Sequence, residues 1–88
     1  MPRIKYEVFG KVQGVGFRAT TQDLAQHIGS LTGYVRNTDR DTVEGEAQGT
    51  SARLDKFISG LEKSPAGRVD RVERHDVDEV SGENSFTA

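Results

Sequence analysis

Residues 42–61 read TVEGEAQGTSARLDKFISGL, and two periodicities meet inside that stretch. From Thr42 to Gly49 the pattern repeats every second residue. Thr42, Glu44, Glu46 and Gln48 fall on one side of an extended ribbon, and Val43, Gly45, Ala47 and Gly49 on the other. The second side is built of small residues, so another element can pack close to it, and a helix is the expected neighbour. That helix follows at once. Thr50 or Ser51 can cap it, and Leu54, Phe57, Ile58 and Leu61 recur at i, i+3, i+4 and i+7 as one apolar stripe. It ends near Ser64-Pro65, because a residue before proline is steered out of helical geometry.

Outward from this unit the chain alternates between the same two periods. Gly33-Tyr34-Val35-Arg36-Asn37 is β-prone, and the polar run Thr38-Asp39-Arg40-Asp41 can turn it back onto the 42–49 ribbon as a hairpin. Before it, Phe17, Thr21, Leu24, Ala25 and Ile28 make a helical stripe that Gly29 can stop. Ile4, Tyr6 and Val8 alternate with Lys5, Glu7 and Phe9, a first strand ended by Gly10. Beyond the second helix, Val69, Val72 and Val77 fit neither period. A polar strand is expected over residues 68–77 because another ribbon is needed there, and Ser85–Ala88 is expected to form a short last one after the turn Gly82-Glu83-Asn84. The order β-α-β-β-α-β indicates an α+β fold of the ferredoxin-like, split βαβ kind: a four- to five-stranded antiparallel sheet with two helices on one face. The other face is expected to be solvated, which suits Lys5, Glu7, Glu44 and Glu46.

Length and composition bound the function. A chain of 88 residues would expose roughly 5,100 Å² when folded against about 14,000 Å² when extended, so residues 1–88 are expected to form one small domain. No apolar run is long enough for a membrane span or an export signal, which makes the cytoplasm the expected location and a membrane partner unexpected. Without cysteine there is no disulfide framework, thiolate zinc site or thiol nucleophile. The formal charge of -2 argues against nucleic acid as a partner and requires any anion site to concentrate its cations locally.

One segment does so. Gly10-Lys11-Val12-Gln13-Gly14-Val15-Gly16-Phe17-Arg18 joins the first strand to the first helix with three glycines and an arginine at the helix entrance. Glycines let several backbone N–H groups converge, the helix start adds unpaired donors and a positive dipole end, and a guanidinium can hold two oxygens of one anion. A plain flexible connection with a surface arginine has the same composition. Gly14-x-Gly16-x-x-Ala19 also matches a relaxed dinucleotide fingerprint, with Asp39 or Asp41 downstream, but that fold needs two βαβ halves and a parallel sheet. Nor is it a Walker A loop, since no Gly-Lys-Ser/Thr closes it.

The nine residues Gly10 to Arg18, followed by Gly33-Tyr34-Val35-Arg36-Asn37 and Thr42-Val43-Glu44-Gly45, closely resemble the acylphosphatase family, and the likeness covers nearly the whole chain. The resemblance implies hydrolysis of the carboxyl-phosphate bond of acyl phosphates, on a ferredoxin-like fold, with no metal or organic cofactor. Arg18 would match the family's phosphate-binding arginine and Asn37 the asparagine that orients the attacking water. Gln13, Gly14, Val15, Gly16, Phe17 and Arg18 would form the phosphate cradle. Inorganic phosphate would be product and competitive inhibitor, and the enzyme a monomer. The residue types suit that chemistry. An arginine beside a glycine loop clamps anions, and an amide at a strand end can donate to and accept from one water.

The chain departs from the family's pattern in three places, one of them the unusually charged fourth ribbon over residues 68–78, where reduced stability rather than lost chemistry is expected. The turn after Asn37 usually holds a glycine where Arg40-Asp41 stands, and Ser30 adds one residue between helix and strand, a shift that would turn Asn37 to the other face unless the connection absorbs it. A weak or inactive anion-binding regulatory domain is therefore the alternative. His27 lies off the helical stripe and reads as solvated, while His75-Asp76 cannot build a triad because strand neighbours face opposite ways. An RNA-binding sheet of the same topology would need stacked aromatics that this chain lacks.

Overall fold

The computed structural model describes residues 1–88 and contains β1 (Arg3–Lys11), α1 (Phe17–Ile28), β2 (Thr32–Asn37), β3 (Val43–Gln48), α2 (Ser51–Glu62), β4 (Arg68–Val77) and β5 (Phe86–Thr87). The strands form one sheet in the order β4-β1-β3-β2-β5. Every pairing is antiparallel except the last: β5 runs parallel to β2, with Gly33 opposite Phe86 and Tyr34 opposite Thr87. The expected ferredoxin-like α+β arrangement is thus present, with a mixed sheet in place of an all-antiparallel one. No helix is long and apolar enough to cross a membrane.

The alternation in β1 and β3 sends Ile4, Tyr6, Val8, Val43 and Ala47 to the helix side, where they are fully covered. From α2, Leu54, Phe57 and Leu61 meet them, and from α1, Phe17 and Ala25. Phe57 is the pivot of this core, its ring edge-on to Tyr6 at 5.1 Å and to Phe86 at 5.6 Å. Each such aromatic pair adds about 0.5–1.5 kcal/mol beyond its buried area, so the two-residue β5 is held more by Phe86 than by its short ladder. Thr50 caps α2 by accepting from the Arg53 N–H at 3.3 Å. The small residue Gly45 makes room for a neighbour, as expected, but the neighbour is not a helix. A Cβ there would lie 2.5 Å from the Tyr6 hydroxyl and 1.9 Å from the Tyr34 carbonyl oxygen, to which that hydroxyl donates at 2.8 Å.

Two further features differ from the sequence reading. β4 carries a bulge. Arg71 pairs with Phe9 but Val69 with Gly10, leaving Asp70 as the extra residue. The bulge lets Val69 and Val72, three apart, both pack on the core, which is why neither period described this segment. The helix-free face is not uniformly solvated either. Lys5 is exposed, but Arg3 is only 4% exposed and Glu44 7%. Arg3 lies between Glu46 at 2.6 Å and Glu83 at 2.8 Å, while Arg36 at 2.6 Å and Arg40 at 3.0 Å reach over Glu44.

These pairs give acid stability a definite sign. The hydrogen bond from Arg3 holds the Glu83 carboxyl below the ordinary glutamate range, against burial, and the bond from Arg36 does the same for Glu44. A carboxyl lowered on folding stabilises fully above its unfolded pKa and loses that contribution as pH falls through the lowered value. In urea unfolding across a pH series, Glu83→Gln should therefore lower stability at neutral pH and flatten the acid limb. An unchanged slope would remove Glu83 from the acid response.

Candidate active site

The loop after β1 is shaped by glycines that are needed for their torsions. Gly14 (φ 72°) and Gly16 (φ 76°) are both left-handed, yet a Cβ added at either would meet nothing within 4 Å. The requirement is thus conformational, not steric: both positions need a positive φ that glycine adopts at no cost. Gly16 is the N-cap of α1 and offers no side-chain cap. From Gln13 to Ala19, no backbone N–H donates to another group of the protein; the first helical bond of this region is from Thr20 to the Gly16 carbonyl, at 3.1 Å. A run of unpaired donors at the positive end of a helix dipole is an arrangement able to receive an anion.

Arg18 stands at the entrance, exposed and without a partner. The chain's other arginines are all engaged. Arg3, Arg36, Arg40, Arg68, Arg71 and Arg74 pair with carboxylates, and Arg53 donates to the carbonyls of Ile28 and Gly29 at the end of α1. Arg18 is the one guanidinium left with its charge uncommitted.

Asn37 reaches the same place from another element. Leu31 and Val35 are buried and set the alternation of β2, so Asn37, two residues on, falls on the helix side at the open end of the strand. Ser30 adopts φ 55° directly after Gly29 at φ 78°, and beyond this connection Asn37 still lies beside Arg18. Asp41, at φ 63°, supplies the left-handed position of the β2–β3 turn. The Thr38 hydroxyl closes that turn, accepting from the Arg40 N–H at 3.1 Å and the Thr42 N–H at 3.3 Å.

Gly14, Gly16, Phe17, Arg18 and Asn37 therefore line one concavity of about 290 Å³, together with Val12 and Ala19. Of the expected cradle residues, Gln13 and Val15 do not line it with their side chains. Val15 lies toward Gly67, and Gln13 borders the adjoining depression with Lys11 and Asp41. Ala19 has no side-chain chemistry to mark it in the sequence, although a helix starting at Phe17 leaves the Ala19 N–H among its unpaired first-turn donors. His27 is exposed in the last turn of α1 and His75 is exposed on β4, and neither lines the concavity.

Comparison with known proteins gives a consistent result. A family model described as Acylphosphatase matches residues 4–88. An acylphosphatase from Latilactobacillus sakei is 42% identical over 86 residues, covering 96% of this chain and 92% of its own. Acylphosphatase-2 of Bos taurus is 47% identical over 71 residues, or 78% and 71% of the two chains. The crystal structure of acylphosphatase from Bacillus subtilis superimposes with a TM-score of 0.90 at 32% identity, covering 99% of this chain and 97% of that one.

Proposed function

The chain belongs to the acylphosphatase family, hydrolases of the carboxyl-phosphate anhydride in small acyl phosphates, and from that premise we propose that Arg18 and the 13–19 amides hold the phosphoryl group while Asn37 orients the attacking water. The observation that carries this reading is the single concavity lined by Arg18, the left-handed glycines and Asn37.

The reaction needs little covalent help. The mixed anhydride is already activated, so its phosphoryl group has to be fixed, its equatorial oxygens neutralised and a water placed in line. The amide N–H groups and the Arg18 fork meet the oxygens, and they are arranged before substrate arrives, so no reorganisation is spent at the moment of reaction. The Asn37 carboxamide accepts from and donates to one water. As the water oxygen bonds to phosphorus, the bond from phosphorus to the acyl oxygen breaks, a carboxylate leaves with the electron pair, and the water's proton passes to a phosphate oxygen. No side chain becomes a nucleophile. The alternative, an anion binder without turnover, would need Asn37 displaced, and no feature of the site favours it.

A monomer acting in the cytoplasm is part of the same proposal. The monomer is supported by β4: the edge strand is bulged at Asp70 and carries charged side chains along its length, features that oppose edge-to-edge pairing. Purified protein should release phosphate from benzoyl phosphate in the presence of EDTA, with inorganic phosphate inhibiting competitively. Phosphate binding without any release would leave a binding domain and remove the enzyme mechanism.

A further inference from the structure

The phosphate cradle and Asn37 come from strands that are not neighbours. β3 lies between β1 and β2, so the ends of β1 and β2 are separated by two strand spacings, roughly 9–10 Å. In-line attack requires the two to be held in fixed relation, and glycine left-handed torsions do not by themselves fix where a loop leans. One side chain bridges the gap. The Gln13 amide nitrogen, Nε2, donates to the Thr38 carbonyl at 2.8 Å and to the Thr42 carbonyl at 2.9 Å. These are the only hydrogen bonds joining residues 12–16 to the β2–β3 turn. Thr38 directly follows Asn37, and the Thr42 carbonyl also accepts the Thr38 N–H at 3.0 Å, so both acceptors lie in the turn adjoining Asn37.

We propose that Gln13 is a positioning residue: its carboxamide locks the phosphate loop to the β2–β3 turn and so sets the distance between the bound phosphoryl group and the water on Asn37. This rests on the roles given above to the loop and to Asn37. Only the side chain is involved. The N–H groups of the loop remain available to phosphate whatever stands at position 13, so the lock governs turnover more than binding.

Gln13→Met keeps length and removes the donors. It should lower kcat about 10- to 100-fold, the scale of a misplacement near 1 Å, with KM and the inhibition constant of phosphate little changed. Because Gln13 acts through Asn37, the same substitution made in an Asn37→Ala background should cost nothing further. A wild-type kcat in Gln13→Met, a parallel loss of phosphate affinity, or full multiplication of the two losses would each overturn the proposal. Asn37→Ala alone reports on the underlying reading: full turnover there defeats the Asn37 assignment and the lock with it, whereas an inactive Asn37→Ala beside an indifferent Gln13→Met defeats the lock alone. Gln13→Glu gives an independent check should the methionine variant fold poorly. Its carboxylate faces two carbonyl oxygens at neutral pH and can donate only when protonated, so its kcat relative to wild type should rise as pH is lowered. A ratio independent of pH contradicts the lock.

Discussion

Arg18→Ala is expected to lose phosphate binding and hydrolysis together, with kcat/KM for benzoyl phosphate falling about 100- to 1,000-fold, the effect of deleting one preorganised donor to a developing oxyanion (about 2.7–4 kcal/mol). The joint loss follows from the position of the group. Arg18 is exposed and bonds to nothing else in the protein, while the chain's other arginines are neutralised by carboxylates or spent on carbonyls. Removing it takes away the cation that the proposed mechanism sets against the substrate dianion, and disturbs no packing. The unfolding midpoint should therefore stay near that of the wild type, since surface substitutions away from buried partners usually change stability by less than about 0.5 kcal/mol. Arg18→Lys restores charge without the planar fork and should recover only part of the loss. The measurements are initial rates and the competitive inhibition constant of phosphate. Activity retained in Arg18→Ala would move the anion site elsewhere.

Asn37→Ala is expected to separate the two properties. The cradle and Arg18 are intact in this variant, so phosphate should still inhibit with a nearly unchanged constant, while kcat falls by about 100-fold or more through loss of the oriented water. An interaction made chiefly in the transition state lowers kcat and kcat/KM alike, and that is the pattern to look for. Asn37 is exposed at the end of β2 and fills no cavity, so a folding defect is not the expected cause. Wild-type turnover in Asn37→Ala would take it out of the mechanism.

The parts of this molecule that were legible in its sequence are those where one period runs uninterrupted. Ile4, Tyr6 and Val8, the stripe Leu54-Phe57-Ile58-Leu61, and the small inner side of residues 43–49 each have a single structural solution, and the core follows from them. β4 was obscured because the Asp70 bulge breaks its alternation. The parallel pairing of β5 was invisible because it spans two residue pairs and depends on the Phe86 ring finding Phe57. Burial on the open sheet face has no signature in the sequence for a different reason. Polarity in sequence says nothing about which charges will be stacked across strands, and Arg3 and Glu44 are covered by their own partners.

In the candidate site, Gly14, Gly16 and Arg18 are marked by a local glycine–arginine pattern and Asn37 by the family resemblance alone, whereas the side-chain bonds of Gln13 have no mark of either kind. Its neighbours in sequence suggest a phosphate contact. Its side chain goes to carbonyls some 25 and 29 residues away, a tertiary relation with no local signature. Ser30 and Asp41 show the opposite case: the resemblance marks both as departures, yet each sits at a positive φ and Asn37 still shares a concavity with Arg18.

The central claim, that the 13–19 amides and Arg18 form the phosphate site, is tested most directly by titrating the ¹⁵N-labelled protein with inorganic phosphate and following its backbone amides. Saturable shifts should concentrate on Gly14, Gly16 and the first turn of α1, and should disappear in Arg18→Ala. Saturable shifts centred elsewhere, or a response at the loop that survives Arg18→Ala undiminished, would contradict the account.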